Sequence, residues 1–319
     1  MAKPASFILV FIWASPVAAQ ESLLPTHISG PHEITVTAEL RYTSISGFLS
    51  DSLGELDYRE THVLADLRFG VGVGGGFEIE GSFPVDLQGR ARADESDLEI
   101  EIETGGLGDL AVEGNYLLRP ATGSSPQIMA GLLLVLPTGD DDLALAEIRS
   151  AGSIVQEGEK GGIGDGVFKA GFQFGLSQRS EEGQVYYGQI RYVFPLGTQN
   201  GDDFEADHAD VFSLTVGGLL PLGEKSSLEL KWALGVLGDE VVDFETGGDA
   251  TEEAHYSIAF ESRFLFNMGR TSTLILGLGL AWIQDHELIE QDDFELEDAF
   301  GWGLSIGLHF RLGVPPKDY

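Results

Sequence analysis

The sequence predicts an all-β fold, a single transmembrane antiparallel up-and-down β-barrel of about 12 strands, with 10 or 14 as the neighbouring even counts. Three observations carry this. Apolar residues alternate with polar or tiny ones through segments that mostly run 11–14 residues. The connections between those segments alternate strictly between short and long. A formal charge of −34 (18 Lys and Arg against 52 Asp and Glu) coexists with a hydrophobic content of 43% in 319 residues, so charge and apolar surface must occupy different places.

The chain opens on an export address. Lys3 supplies a positive start, residues 7–14 are an apolar run, and Val17-Ala18-Ala19 places small residues where a signal peptidase reads. Residues 1–19 therefore read as a signal peptide cleaved after Ala19, because Pro4 and Pro16 bracket a stretch far shorter than the ~20 residues of a membrane helix. Residues 20–32 follow as an N-terminal periplasmic segment, 33–312 as the barrel and 313–319 as a C-terminal tail.

Twelve strands are expected at 33–45, 58–71, 75–86, 107–118, 127–137, 164–177, 184–195, 209–220, 227–237, 254–266, 272–284 and 299–311. A tilted strand crosses a bilayer in about 9–11 residues, whereas strands of soluble proteins average ~5–6. In 168–176 one face holds Phe168, Ala170, Phe172, Phe174 and Leu176, and the other holds Lys169, Gly171, Gln173 and Gly175. The segment 302–310 sets Trp302, Leu304, Ile306, Leu308 and Phe310 against Gly303, Ser305, Gly307 and His309. A soluble sandwich needs a bulky inner face, and a face of Gly, Ser and charges cannot build one. The short connections suit periplasmic turns; the long ones at 46–57, 87–106, 138–163, 196–208, 238–253 and 285–298 suit extracellular loops.

Composition excludes several functions. With no Cys there is no disulfide framework or thiolate chemistry. The acidic balance excludes nucleic acid as a partner, because phosphate contacts need clustered Lys and Arg. The seven histidines join no nucleophile elbow and no His-Glu-x-x-His helix, so no catalytic residue and no cofactor is assigned and the chain reads as a non-enzyme. Trp232, Trp282 and Trp302 read as lipid-facing or girdle aromatics.

Alternation assigns the inward face. It puts Glu39, Asp66, Glu78, Glu80, Glu113, Glu229 and Glu261 inside, with Arg41, Arg68, Lys169, Arg191, Lys231 and Arg263. Glu39/Arg41, Asp66/Arg68, Glu229/Lys231 and Glu261/Arg263 are same-face pairs two residues apart, so a network of interior ion pairs and a narrow polar passage are both expected. The long loops hold most of the acids and only Arg90, Arg92, Arg149 and Lys160 among bases. Within them Asp140, Asp141, Asp142, Asp202 and Asp203 are weak metal candidates, since neither run keeps a calcium-loop spacing.

Two strand-end motifs recur. Gly106-Leu107-Gly108-Asp109 and Gly162-Ile163-Gly164-Asp165 open strands, and Leu136-Pro137-Thr138-Gly139 ends one. The block 106–120 followed by 131–140 resembles the "MetA-pathway of phenol degradation" family of outer-membrane barrels, most clearly over 106–197. That resemblance implies transport of a small hydrophobic or aromatic compound and carries over no catalytic residue. Trp302 to Phe310 also resembles the C-terminal signal read by the barrel-assembly machinery, although Pro315-Pro316 and the rest of 311–319 follow it where that signal normally ends the chain. The expected role is a passive channel or transporter in the cell outer membrane, with lipid, the assembly machinery and a small-molecule permeant as partners. The alternative is a structural or surface-interaction barrel with a salt-bridged closed lumen and acidic loops that bind divalent cations.

Overall fold

The computed structural model describes residues 28–313 apart from 52–53, 96–97, 123–124, 141–143, 145–146, 151–152, 159, 165, 201–203, 245–248, 270 and 290–293. The expected signal peptide, the terminal tail beyond 313, and Asp141, Asp142, Asp165, Asp202 and Asp203 lie outside them.

Strands account for most of the described backbone. β1 (Ile34–Asp51), β2 (Gly54–Gly74) and β3 (Phe77–Glu95) form a meander. β4 (Leu98–Leu107) and β5 (Leu110–Arg119) follow, then β6 (Gln127–Leu136), β7 (Glu147–Ser150) and β8 (Ser153–Gln156). β9 (Lys169–Arg179) and β10 (Val185–Pro195) make a hairpin, succeeded by the short β11 (Gln199–Asn200) and β12 (Phe204–Asp207). β13 (Val211–Pro221) and β14 (Ser226–Leu237) precede β15 (Glu240–Phe244) and β16 (Asp249–Glu252). β17 (His255–Asn267), β18 (Ser272–Ile283), β19 (His286–Ile289) and β20 (Phe294–Leu312) complete the chain.

Twelve of these close a ring. The wall runs β1, β2, β3, β5, β6, β9, β10, β13, β14, β17, β18 and β20, each pair antiparallel. β20 returns to β1, so Ile34 pairs with both Val71 and Leu312 and the twelve-strand wall has no edge strand. The two-residue period is spatially realised. Phe172, Phe174 and Leu176 of β9 are exposed on the outside, as are Trp302, Leu304, Ile306 and Leu308 of β20. Leu132 is 71% exposed, which no water-soluble wall would tolerate as part of a continuous apolar belt. Aromatics join the belt in tilted or edge-on pairs, Tyr42 with Trp302, Trp232 with Phe260 and Tyr256 with Trp282. Among the described residues no helix is long and apolar enough to cross a membrane; the strands do the crossing.

The strand ends differ from expectation in one region. Segments 46–57, 87–106 and 285–298, read above as loops, are largely strand, because β1, β2, β3, β4 and β20 continue past the apolar belt. Their inner face there turns apolar, and Leu49, Leu56, Tyr58, Ala93, Ile100 and Leu296 pack into one buried cluster. Acidic residues on the outer face of this extension masked its strand character in the sequence. A register shift between Asp86 and Gly89 swaps which parity of β3 faces inward.

The fourth wall strand is interrupted. Residues 77–82 of β3 pair with β5 and residues 85–95 pair with β4. Gly106, at a φ of 120°, makes the break, and Gly108 N–H donates to the Pro84 carbonyl at 2.9 Å. At the opposite end, residues 28–33 fold back on the wall: His32 N–H donates to the Gly72 carbonyl and Gly72 N–H donates to the Glu33 carbonyl.

Candidate functional site: the barrel interior

The interior is built in layers whose heights follow from strand register. One hydrogen-bond ladder runs around the wall from Arg41 through Ser305, Gly277 and Arg263 to Glu229. Glycine and serine on the two intervening strands leave space above them. Arg263 uses that space to reach Glu39, beyond the two intervening strands, with Nη2 to Oε1 at 3.6 Å. Its Nε also donates to Glu261. Arg41 donates to the same Glu39 Oε1 at 3.1 Å, and Lys231 Nζ lies 2.9 Å from Glu261 Oε2. These side chains are between 1% and 12% exposed, so two acids and three bases share one nearly dry plane. Buried charges persist when they are paired in this way.

A second polar group crosses the far side. Arg191 of β10 pairs with Glu113 of β5 across two intervening strands. Gln173 donates to Glu113 at 2.9 Å and to Asn115, and accepts from Gln189 at 2.8 Å. Asn115 in turn donates to Glu80 at 3.3 Å. Tyr187 Oη donates to Glu229 at 2.5 Å, linking β10 to the ionic plane.

Above the ionic plane the interior opens. A cavity of about 100 Å³ is lined by Arg41 and Glu261 beneath, by His62 and Glu60 at the side, and by small residues such as Gly235, Ala259 and Gly279. His62 bridges two acids there, with Nε2 2.6 Å from Glu60 and Nδ1 3.1 Å from Asp86. The apolar cluster of the extended strands lies beyond, and Ile283 belongs to both.

Each residue expected inside can now be placed. Glu39, Arg41, Glu113, Arg191, Lys231, Glu261 and Arg263 meet as described, and Asp66 pairs with Arg68 at 2.5 Å. Glu39 contacts Arg41, Asp66 contacts Arg68 and Glu261 contacts Arg263 along their own strands. Glu229 and Lys231 each also face a direct neighbour of opposite charge on β17, Arg263 and Glu261 respectively. Cross-strand neighbours stand closer than same-strand residues two apart, so the sheet register adds partners that spacing along one strand does not give. Lys169 is half-buried at the start of β9, opposite Val135 and Pro195. Glu78 is buried near Ser29 of the N-terminal segment. Asp140, the one described metal candidate, works through its backbone, accepting from Gly164 N–H at 2.6 Å.

The sequence reading passed over Gln173, Gln189, Asn115 and Tyr187, which stitch the ion pairs together. Gln173 stood on the polar face of its strand, but amides carry no charge signal, and a partner 16 to 60 residues away is invisible to spacing.

The recurring motifs also meet. Asp109 Oδ1 accepts from the backbone N–H of Thr138 at 3.1 Å and of Gly139 at 2.9 Å, while Thr138 Oγ1 accepts from Leu110 N–H at 3.0 Å. The Gly-x-Gly-Asp strand start and the Leu-Pro-Thr-Gly strand end are two halves of one clasp. Gly164 of the second Gly-x-Gly motif packs against it, because a Cβ there would meet Asp109 and Gly139 at 3.0 Å.

No protein-family model matches the chain, and no curated protein matches it. Solved structures do. An outer membrane channel from Pseudomonas putida F1 superposes with a TM-score of 0.55 at 13% identity, covering 89% of this chain and 98% of the other. The translocator domain of the autotransporter NalP from Neisseria meningitidis gives 0.45 at 10%, covering 90% and 91%. A mutant of the TodX monoaromatic hydrocarbon channel gives 0.45 at 9%, covering 90% and 91%. At these identities the likeness to the Pseudomonas channel is one of fold.

Proposed function

We propose that this chain is an outer-membrane barrel that passes a small compound passively, closed at rest by its own interior ion pairs. The observation that carries the reading is the cavity held between the ionic plane and the apolar cluster, inside a ring with no open edge. A purely structural barrel of this size would gain stability by filling that space with side chains. Instead, glycine and alanine line it. The fold shared with an outer membrane channel supports the same conclusion. The motif clasp at Asp109 agrees with the resemblance to the phenol-degradation family, and with it a hydrophobic or aromatic permeant. Export through a cleaved signal peptide and insertion by the barrel-assembly machinery complete the reading, with membrane lipid as the surrounding partner.

A structural or surface-interaction role is the second reading, favoured by the cross-barrel pairs Arg263–Glu39 and Arg191–Glu113, which obstruct the axis. Planar-bilayer recording of the purified protein separates the two. A channel shows stable conductance steps that change when Arg191 or Lys169 is replaced by Gln. Silence, together with unchanged uptake in a deletion strain, supports the structural role.

A further inference from the structure

Three buried side chains at the long-loop end form a site that the passage reading does not use. Glu252 ends β16, His255 begins β17 three residues later, and His286 begins β19 on another loop segment. Their potential ligand atoms all lie within 4.8 Å of one another. The side chains are 1–2% exposed. The imidazole rings stack with centroids 3.9 Å apart and planes 13° from parallel.

The hydrogen bonds set the chemistry. His286 Nδ1 lies 2.8 Å from the Gln284 carbonyl, and His255 Nδ1 lies 3.3 Å from the Glu253 carbonyl. Each ring thus donates its Nδ1–H to the carbonyl two residues earlier, which fixes the tautomer and turns a lone pair outward at Nε2. Both Nε2 atoms and Glu252 Oε1 are buried without a hydrogen-bond partner. Glu252 Oε1 sits 3.3 Å from His286 Nε2 and 3.3 Å from His255 Nδ1. A buried carboxylate oxygen facing the acceptor nitrogen of His286 is costly unless a cation lies between them. That spacing is close to the ~3.3 Å edge of a tetrahedron with metal–ligand bonds of ~2.0–2.1 Å.

We infer that Glu252, His255 and His286 bind a divalent transition-metal ion of the zinc class, which clasps the segment 238–254 to the segment 284–289 at the mouth of the barrel. Two imidazoles and one carboxylate match zinc, whereas calcium and magnesium take oxygen ligands almost exclusively. The scaffold is already aligned: Glu253 N–H donates to the Glu287 carbonyl at 2.9 Å, and Ala254 N–H donates to Asp239 at 2.8 Å. A bound ion would add a side-chain cross-link to the backbone hydrogen bond that joins Glu253 to Glu287.

Full-length protein in detergent, stripped with a chelator, is titrated with zinc and separately with cobalt. The expected result is one ion per chain, a visible absorption band from tetrahedral cobalt, and protection of the acidic sites in 238–254 from a protease that cleaves after Asp and Glu. Glu252→Gln and His286→Ala are each expected to weaken zinc binding at least ~10-fold while keeping heat-modifiable gel mobility. Glu252→Gln preserves side-chain size and serves as the decisive variant if His286→Ala fails to fold. Zinc uptake that is absent, that is unchanged in a folded Glu252→Gln protein, or that excess calcium displaces overturns the assignment.

Discussion

Arg263 and Glu39 meet across the interior although two whole strands, β18 and β20, separate them around the wall. The guanidinium also faces Glu261 and Glu229, so three acids share it with Arg41 and Lys231. Arg263→Met should therefore leave three buried carboxylates facing two bases, lowering stability by about 3–5 kcal/mol. Urea unfolding in lipid vesicles measures this. Adding Glu39→Gln to that variant should restore part of the loss, because two acids then face the two remaining bases.

Gly277 makes the crossing possible. A Cβ there would stand 2.3 Å from Ser305 Oγ and 3.6 Å from Arg263 Cγ. Gly277→Val should displace the Arg263 side chain and destabilise the barrel by about 1–3 kcal/mol. Gly197→Ala is the control: nothing lies within 4 Å of its Cβ position, and the same unfolding curve should be unchanged.

Asp109 holds the strand break together. Asp109→Ala removes the acceptor from two backbone N–H groups and should lower stability by about 1–3 kcal/mol. Trypsin should then cut faster after Arg149 and Lys160, both of which lie on the 138–164 excursion that the clasp anchors. An unchanged digestion pattern would mean the excursion is held elsewhere.

Leu132 tests the membrane assignment directly. It sits mid-strand in β6 with its side chain outward. Leu132→Arg should cost about 2–4 kcal/mol of folding stability in a bilayer. The same substitution on a water-facing surface would change stability by less than about 0.5 kcal/mol.

Much of this architecture was legible in the chain. Alternation in 168–176 and 302–310 identified which residues face outward, because lipid enforces a strict two-residue period. Interior charges were found by the same parity. Three things escaped. The continuation of β1 to β4 and β20 past the membrane was hidden, because outside lipid the outer face turns acidic and resembles a loop. The cross-strand partners of Glu229 and Lys231 depend on register, which no single strand encodes. His255 and His286 start two different strands, β17 and β19, and their stacking follows from the fold alone.

The wall strands are unequal. β20, β1, β2 and β3, which are neighbours, have 18–21 residues, whereas β6, β9, β10, β13, β14, β17 and β18 have 10–13. At ~3.3 Å per residue and a tilt of about 40°, the short flank rises roughly 25–33 Å, enough for the ~30 Å hydrocarbon core and little more. The long flank stands some 20 Å higher, by the same rise per residue. On the short flank the connections after β10 and β14 build a separate sheet of β11, β12, β15 and β16. A solute arriving from solution therefore meets acidic strand on both flanks before it reaches the apolar belt.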